Sequence, residues 1–354
     1  MRTELSTRRQ ARLRQHPAEH YYFTKTHYLR LELEQRGYFL ATPSAFNDPF
    51  DCDLRVLIRR IAEVSDADLA VLKERIASQA RAEKTSQVAS ALVRKVEAGI
   101  TFGPTPRTAA TNFALETSSA VERRLDDLAQ LSRTEDVGAF RSAAIDWLTE
   151  LAPSIGIKCF TSRENWASGP MWAHYGGNHS HVCVGVYSPE TLFAGWRYNV
   201  GHYSVDYTEQ PIQISEAFSL KSLLQQFLTT KFLEWGYEHE SRIISFRAQG
   251  YLRFRASSLR EIILGPKWFD LPGSDSESTI LKTRREFIEL VYKFRKLQGL
   301  KKLRIYLTAI PAGGRYVERF EVPPGRLSFL LNAASQFRRS DMAFKYVLQQ
   351  PYPD

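Results

Sequence analysis

The feature that most constrains this chain is a change of texture along it. Short runs of strand-forming residues lie on both sides of a long helix-forming stretch at residues 65–150. Before the stretch come "YYFTKT" and "YFLATPS". After it come "IKCFTS" (157–162), "HVCVGVYS" (181–188), "HYSVDYT" (202–208), "SRIISFRA" and "LREIILGPK". Short runs rich in β-branched and aromatic residues, bounded by turn formers, read as strands. By contrast "DADLAVLKERIASQARAEKTSQVASALVRKVEAG", "AVERRLDDLAQL" and "FRSAAIDWLTEL" have helical period and strong helix formers. Helices and strands are interspersed and several strands are hairpin-like neighbours. The expected fold is therefore α+β, with a mixed, largely antiparallel sheet.

On this reading residues 1–20 are a flexible basic arm, and residues 21–60 with 151–270 form the core. Residues 61–150 are a helical insertion without a site. Residues 271–354 are a C-terminal extension with a helix at 278–298 and a strand at 303–309. Locally, "HYLRLELEQRG" reads as a helix closed by Gly37. "FNDPFD" reads as a turn, because Asn and Asp before Pro favour one. Residues 55–60 continue as a strand, and "SLKSLLQQFLTTKFLEW" reads as one amphipathic helix.

Charge speaks about partners rather than fold. The 354 residues carry a formal net charge of +9. Arg8, Arg9, Arg12 and Arg14 form a basic arm. Lys293, Arg295, Lys296, Lys301 and Lys302 lie in a second basic region that also holds Lys282, Arg284, Arg285 and Arg304. A solvated helix face explains such clusters, as does contact with nucleic acid phosphates. No apolar run approaches the roughly 18 residues needed to span a bilayer. The N-terminus also lacks the apolar stretch of a secretory signal. Three cysteines without a CxxC motif suit a reducing compartment. The expected address is the cytoplasm of a bacterium, with no membrane partner.

"MWAHYGGNHSHVCVGV" (171–186) is the densest piece of chemistry. His179, His181 and Cys183 alternate, so one strand would aim all three at one face. Zinc needs four ligands around a tetrahedron, which adjacent residues on one strand do not supply. No metal is expected there. The loop before the run, "RENWASGPMWAHYGG", offers Trp172 and Tyr175 as a core cap or as the wall of a pocket for a flat ring. "KFLEWGYEHESRII" places Glu234, Glu238 and Glu240 together. Within it Lys231, Trp235 and Glu238 are spaced i, i+4, i+7, as on one helical face. If a strand begins at "ESRII", Glu238, Glu240 and Arg242 share its face. Two carboxylates beside an arginine suit acid–base work or the stabilisation of a developing cation. A salt-bridged surface is the alternative.

Taken together, these motifs resemble the bacterial domain-of-unknown-function family numbered 2971. The resemblance rests on Tyr22 with Lys25, on Asn47-Asp48-Pro49-Phe50, on Met171-Trp172 with Tyr175, and on Lys231, Trp235, Glu238, Glu240 and Arg242. It covers roughly residues 20–60 and 155–270. Asp51 stands where the family often has Glu, and His181 stands where Gly is common. The order of these motifs is also similar, more distantly, to the ADP-ribosyltransferase superfamily, whose late strand opens with a catalytic Glu. That likeness implies NAD as a substrate, with Glu240 and Glu238 catalytic. It also implies that Tyr22, Lys25, Asn47, Trp172, Tyr175 and Arg242 hold the dinucleotide. Cleavage of the nicotinamide–ribose bond develops oxocarbenium character, which a nearby carboxylate stabilises. No GxGxxG fingerprint is present, which excludes a Rossmann reading.

The leading expectation is an NAD-using transferase, a toxin or antiphage effector acting on nucleic acid or protein. A non-catalytic nucleic-acid-binding module is the second reading. A Mg²⁺-dependent nuclease using Asp48, Asp51, Asp53 and the glutamates is the third.

Overall fold

The computed structural model describes residues 18–46, 51–78, 130–187, 200–246 apart from 218, 249–254, 258–270, 277–297, 303–310 and 317–322, with 128, 326 and 327. Arg8, Arg9, Arg12, Arg14, Asn47, Asp48, Lys301 and Lys302 lie outside the described residues.

Eight strands build one sheet. In chain order its members are β1 (His20–Thr24), β3 (Gly156–Ser162), β4 (Val182–Val186), β5 (Val200–Ser204), β8 (Glu240–Ser245), β10 (Leu259–Leu264), β11 (Arg304–Ala309) and β12 (Glu318–Glu321). Their order across the sheet is β12-β11-β10-β4-β1-β3-β8-β5. Only β10 and β11 run parallel; every other neighbouring pair is antiparallel. The chain is thus mixed α and β around a large, mostly antiparallel sheet. Two small ribbons accompany it: β2 (Gly37–Leu40) with β9 (Gly250–Arg253), and β6 (Asp206–Thr208) with β7 (Thr230–Phe232). "HYSVDYT" therefore holds two strands in different sheets rather than one.

Helix α1 (Thr26–Gln35) follows β1, and α2 (Leu54–Glu63) occupies the segment expected as a strand. Helix prevails at 54–63 because the Asp53 side chain accepts from Arg55 N at 3.0 Å, an N-cap, and because Leu54, Leu57 and Ile61 fall on one buried face. Residues 66–78 are helical, as are 128, 130 and 131 ahead of α3 (Val137–Leu151). The remaining helices are α4 (Gly169–His174), α5 (Leu220–Thr229) and α6 (Glu277–Leu297).

Two further local expectations are corrected. Helix α1 is closed by Arg36 in the left-handed region (φ 50°), while Gly37 opens β2, where a Cβ would meet Leu252 O at 2.8 Å. Helix α5 begins at a Ser219–Ser222 capping box and stops at Thr229, so Lys231 lies on β7, not on a helix. Paired Thr229 and Thr230, both β-branched, favour that switch to extended chain.

The register divides the sheet into two faces. One face carries Tyr22, Phe160, Val182, Val184, Val186 and Ile262, packed under α1 and α6 in one large core cluster. The other face carries two clusters. Ile157 and Ile244 pack with α2, α3 and α5, including Leu57, Trp147 and Leu224. Tyr21, Cys183, Ile263 and Tyr306 pack around Trp172. Gly185 leaves room for the Tyr21 ring there, since a Cβ would meet Tyr21 Cε1 at 2.7 Å.

Along β3 and β8, the cross-strand pair Ile157–Ile244 is followed on the same face by Cys159–Arg242 and then Thr161–Glu240. Charge thus enters the sheet between the two apolar clusters. At the same place the sheet opens. β1 and β3 pair only at His20–Ser162 and Tyr21–Thr161, and Ala41 bridges Ile157. Between those points Lys158, Cys159 and Phe160 have no ladder partner toward β1.

Candidate functional site

A cleft of about 570 Å³ occupies this gap and reaches both faces of the sheet. From one face come Tyr22, Lys158 and Phe160, with Tyr28, Phe39 and Tyr251 around the mouth. Phe39 and Tyr251 are a cross-strand pair with rings 5.2 Å apart, and Tyr28 is 51% exposed. From the other face come Phe46, Tyr175 and Trp235, and the charged floor formed by Asp51, Lys231, Glu238 and Glu240. The cleft is therefore rich in aromatic rings, with the Asp51, Lys231, Glu238 and Glu240 cluster at one end and the Glu32–Lys158 ion pair (2.7 Å) on the other face.

Each floor group is placed by a different element. Glu238 ends a short 3₁₀ turn, Leu233–Glu238, and His239 follows in the left-handed region (φ 44°) before β8 begins at Glu240. The turn is clamped from β3. Thr161 Oγ1 donates to Glu238 O at 2.5 Å, and Asn165 Nδ2 lies 2.7 Å from the same carbonyl and 2.8 Å from Tyr237 O. This clamp aims the Glu238 carboxylate at the cleft. Tyr175 OH donates to its Oε1 at 2.5 Å, and Lys231 Nζ donates to its Oε2 at 2.7 Å.

Glu240 and Arg242 share one face of β8 and grip each other. Arg242 Nε and Nη2 donate to the two Glu240 oxygens at 2.8 and 3.0 Å. The same guanidinium reaches Asp51 Oδ2 at 2.9 Å and Leu228 O at 2.8 Å, and lies 2.6 Å from Cys52 Sγ. Lys231 adds contacts to Glu240 at 3.4 Å and to Asp51 at 3.3 Å. Three carboxylates thus face two cations, all buried, which leaves one negative charge in excess when all are ionised.

The two glutamates are driven in opposite directions. Burial raises the pKa of Glu238, and Lys231 and Tyr175 only partly offset it. Burial also acts to raise Glu240, but the Arg242 charge and hydrogen bonds outweigh it and hold Glu240 down at about 2. Burial acts to lower Lys231, yet the surrounding carboxylates win and keep it cationic. Burial and the neighbouring cations thus shift the two adjacent carboxylates in opposite directions.

Of the residues singled out from sequence, Tyr22, Tyr175, Glu238 and Glu240 line the cleft. The Tyr22 hydroxyl is committed to Glu32 Oε2 at 2.8 Å, with Lys158 Nζ 3.9 Å above its ring. Lys25 is exposed beside the mouth, with Nζ 5.6 Å from the Tyr28 ring centre. Two placements are corrected. Trp172 is 0% exposed and does not line the cleft; it packs edge-on to Phe23 and donates to Trp166 O at 2.7 Å. Arg242 is also fully buried, and its donors are taken by protein groups, so it holds the floor rather than a ligand.

Glu238 does not share a strand with Glu240, and Lys231, Trp235 and Glu238 do not share a helix. They meet instead through the β7 strand and the following turn, with Lys231 Nζ 4.8 Å from the Trp235 ring centre. His179 (φ 71°) and His181 precede β4 in a turn, while Cys183 is buried among apolar residues. Among the described residues no group of three or more His, Cys, Asp or Glu is arranged to hold a metal. Asp53 serves as a helix cap and pairs with Arg55, and Asp51 is held by Arg242 and Lys231.

Asn165, Thr161, Tyr207 (whose hydroxyl accepts from Glu240 N at 2.8 Å) and the mouth aromatics were not singled out from sequence. Phe39 alone carries a usable signal, an aromatic on the outward face of a strand whose neighbours Tyr38 and Leu40 point inward.

Residues 171–243 match the family model described as "Protein of unknown function (DUF2971)". The match supports the resemblance read from the motifs. It spans Met171, Tyr175, Lys231, Trp235, Glu238, Glu240 and Arg242. No curated protein and no solved structure matches the chain, and the likeness to ADP-ribosyltransferases draws no support from these comparisons.

Proposed function

We propose that the chain is an ADP-ribosyltransferase-like enzyme that uses NAD as its substrate. One observation carries the reading: the aromatic cleft ends on a buried floor with one carboxylate more than it has cations. Aromatic faces and excess negative charge both attract a cationic ring, and the oxidised nicotinamide of NAD is such a ring. The volume falls within the usual range of small-molecule sites.

In the proposed reaction the bond from nicotinamide to ribose breaks, and the ring leaves with the bonding pair as a neutral molecule. Positive charge then develops on the ribose, next to Glu238 and the ionised Glu240. The acceptor nucleophile, on nucleic acid or protein, adds to that carbon and releases a proton. Glu238, with its raised pKa, is the group suited to take it. Tyr175 and Trp235 would flank the ring, while Lys25, exposed beside the mouth, is a cation for the diphosphate; Lys158 is already paired with the buried Glu32 at 2.7 Å. A toxin or phage-defence role fits such chemistry.

The test compares NAD with NADH, which differs in having an uncharged nicotinamide ring. Calorimetry and thermal shift should show NAD binding the more tightly, with the preference reduced in Glu238→Gln. Chromatography of the mixture should show nicotinamide released by the wild type. Equal affinity for the two nucleotides, or no binding of either, would sink the reading.

A further inference from the structure

A second cavity, of about 320 Å³, lies behind the charged floor. Its walls include Val56 and Arg60 of α2, Ile212, Phe227 of α5, and Thr230 and Phe232 of β7. Asp51 and Lys231 line both this cavity and the aromatic cleft. Their 3.3 Å ion pair is therefore a partition with a space on either side.

The cations around this cavity are not equally occupied. Lys231 is shared by three carboxylates, Arg242 by two, and Arg55 is paired with Asp53. Arg60 is different. It is half-buried, its guanidinium donates to the Ile212 carbonyl, and no carboxylate among the described residues pairs with it. Burial alone bears on its charge, pulling its pKa down. A guanidinium offers five N–H donors in a planar fork that matches carboxylate and phosphate groups. An unpaired, partly desolvated cation beside apolar walls gains from an anion whose body covers those walls. Asp51 does not outweigh this, because the lining of this cavity sets Arg60 and Lys231 against Asp51 alone, while Glu238 and Glu240 line only the cleft.

We propose that this cavity binds a small organic anion with an apolar, single-ring body, its charge on Arg60 and its ring against Phe227, Ile212 and Phe232. The volume lies at the low end for ligand sites, which suits one ring rather than a dinucleotide. Its occupant touches Lys231, and through it the Glu238 carboxylate on the cleft side. The proposal does not depend on NAD being the ligand of the cleft.

Phenyl phosphate is the probe, titrated calorimetrically into the full-length protein. One molecule should bind per chain. Benzyl alcohol, lacking the charge, and inorganic phosphate, lacking the ring, should each bind roughly tenfold or more weakly, as loss of a charge-assisted hydrogen bond or of buried apolar area implies. Arg60→Gln and Phe232→Ala should each weaken phenyl phosphate to a similar degree with an unchanged melting temperature. Phe232 is partly exposed, so its variant keeps the test valid if Arg60→Gln fails to fold. No saturable binding to the wild type, or wild-type affinity in the folded variants, overturns the proposal. NAD binding without phenyl phosphate binding sinks this inference alone, and the converse sinks the NAD reading alone.

Discussion

Glu240→Gln separates a structural role for the glutamate from a catalytic one. In the wild type both Glu240 oxygens accept from Arg242, at 2.8 and 3.0 Å, in a fully buried setting. Arg242 and Lys231 lower the Glu240 pKa from 4.5 to about 2. At 1.36 kcal/mol per unit, that difference corresponds to about 3 kcal/mol of folding stability at neutral pH. Breaking a buried ion pair typically costs about 3–5 kcal/mol, an independent route to a similar figure. Asp51, Cys52 and Leu228 O still hold Arg242 in the mutant, which favours the lower end.

The sign of the pH dependence follows from the depressed pKa. The stabilisation is fully present above the unfolded value and is lost as pH falls through about 4.5 toward 2. Loss of the Glu240 charge also removes one cause of the raised Glu238 pKa, a smaller effect than loss of the Arg242 pair. Urea unfolding at pH 7 should therefore show a gap of about 3 kcal/mol that narrows on acidification. NAD affinity per folded molecule should also fall, as in Glu238→Gln, because the floor loses its excess negative charge. A gap under about 1 kcal/mol at pH 7, or one independent of pH, would refute the argument, since a buried pair of this geometry costs more to break.

Two further substitutions probe the core beside the cleft and the cleft wall. Trp172→Ala should cost about 3–5 kcal/mol, as for other large buried aromatics, because its ring fills the cluster around Tyr21 and Cys183. Ligand affinity per folded molecule should not change, and a selective loss of binding at preserved stability would contradict its buried position. Tyr175→Phe removes the hydroxyl that lies 2.5 Å from Glu238 Oε1 and helps to hold that carboxylate ionised. The Glu238 pKa should therefore rise further, moving the acidic limb of a pH–activity profile to higher pH. An unmoved limb would show that Glu238 is not the group titrating there.

How much of this was legible in the sequence depends on where the information lies. β4 was readable from the continuous apolar run Val182–Val186, typical of an interior strand, and β10 from Ile262, Ile263 and Leu264 followed by the turn formers Gly265 and Pro266. The helix at Leu54–Glu63 was misread, although its signals, an Asp cap and an i, i+3, i+7 apolar row, are local. Lys231, Trp235 and Glu238 were grouped for the wrong reason. The helical spacing is not realised, and the three converge because the chain turns sharply after β7. The gap between β1 and β3 had no local signal. It depends on Ala41 arriving from elsewhere to bridge Ile157 while α1 leads the chain away from Thr24. Trp172 and Tyr175 shared a loop in sequence, and only the three-dimensional path shows one ring in the core and the other at the cleft.

The placement of the charges is itself an argument about function. Along β3 and β8 a single pair step separates the apolar Ile157–Ile244 pair from Cys159–Arg242, and the next step reaches Thr161–Glu240. Apolar residues of similar volume at Asp51, Lys231, Glu238, Glu240 and Arg242 would join the two flanking clusters into one core. Such replacements are often neutral or stabilising, because buried ions lose much of their mutual attraction to desolvation. Stability alone therefore gives no reason for five buried charges at this point. Their location does, since the cluster lies where the sheet opens and a cleft reaches it, and its excess is negative. Neither β3 nor β8 is at the edge of the sheet, so the floor is held by ladders on both sides of β8, and Glu238 projects from a turn clamped to that frame. Preorganised charge at the end of an aromatic cleft is what a reaction that develops positive charge on its substrate requires.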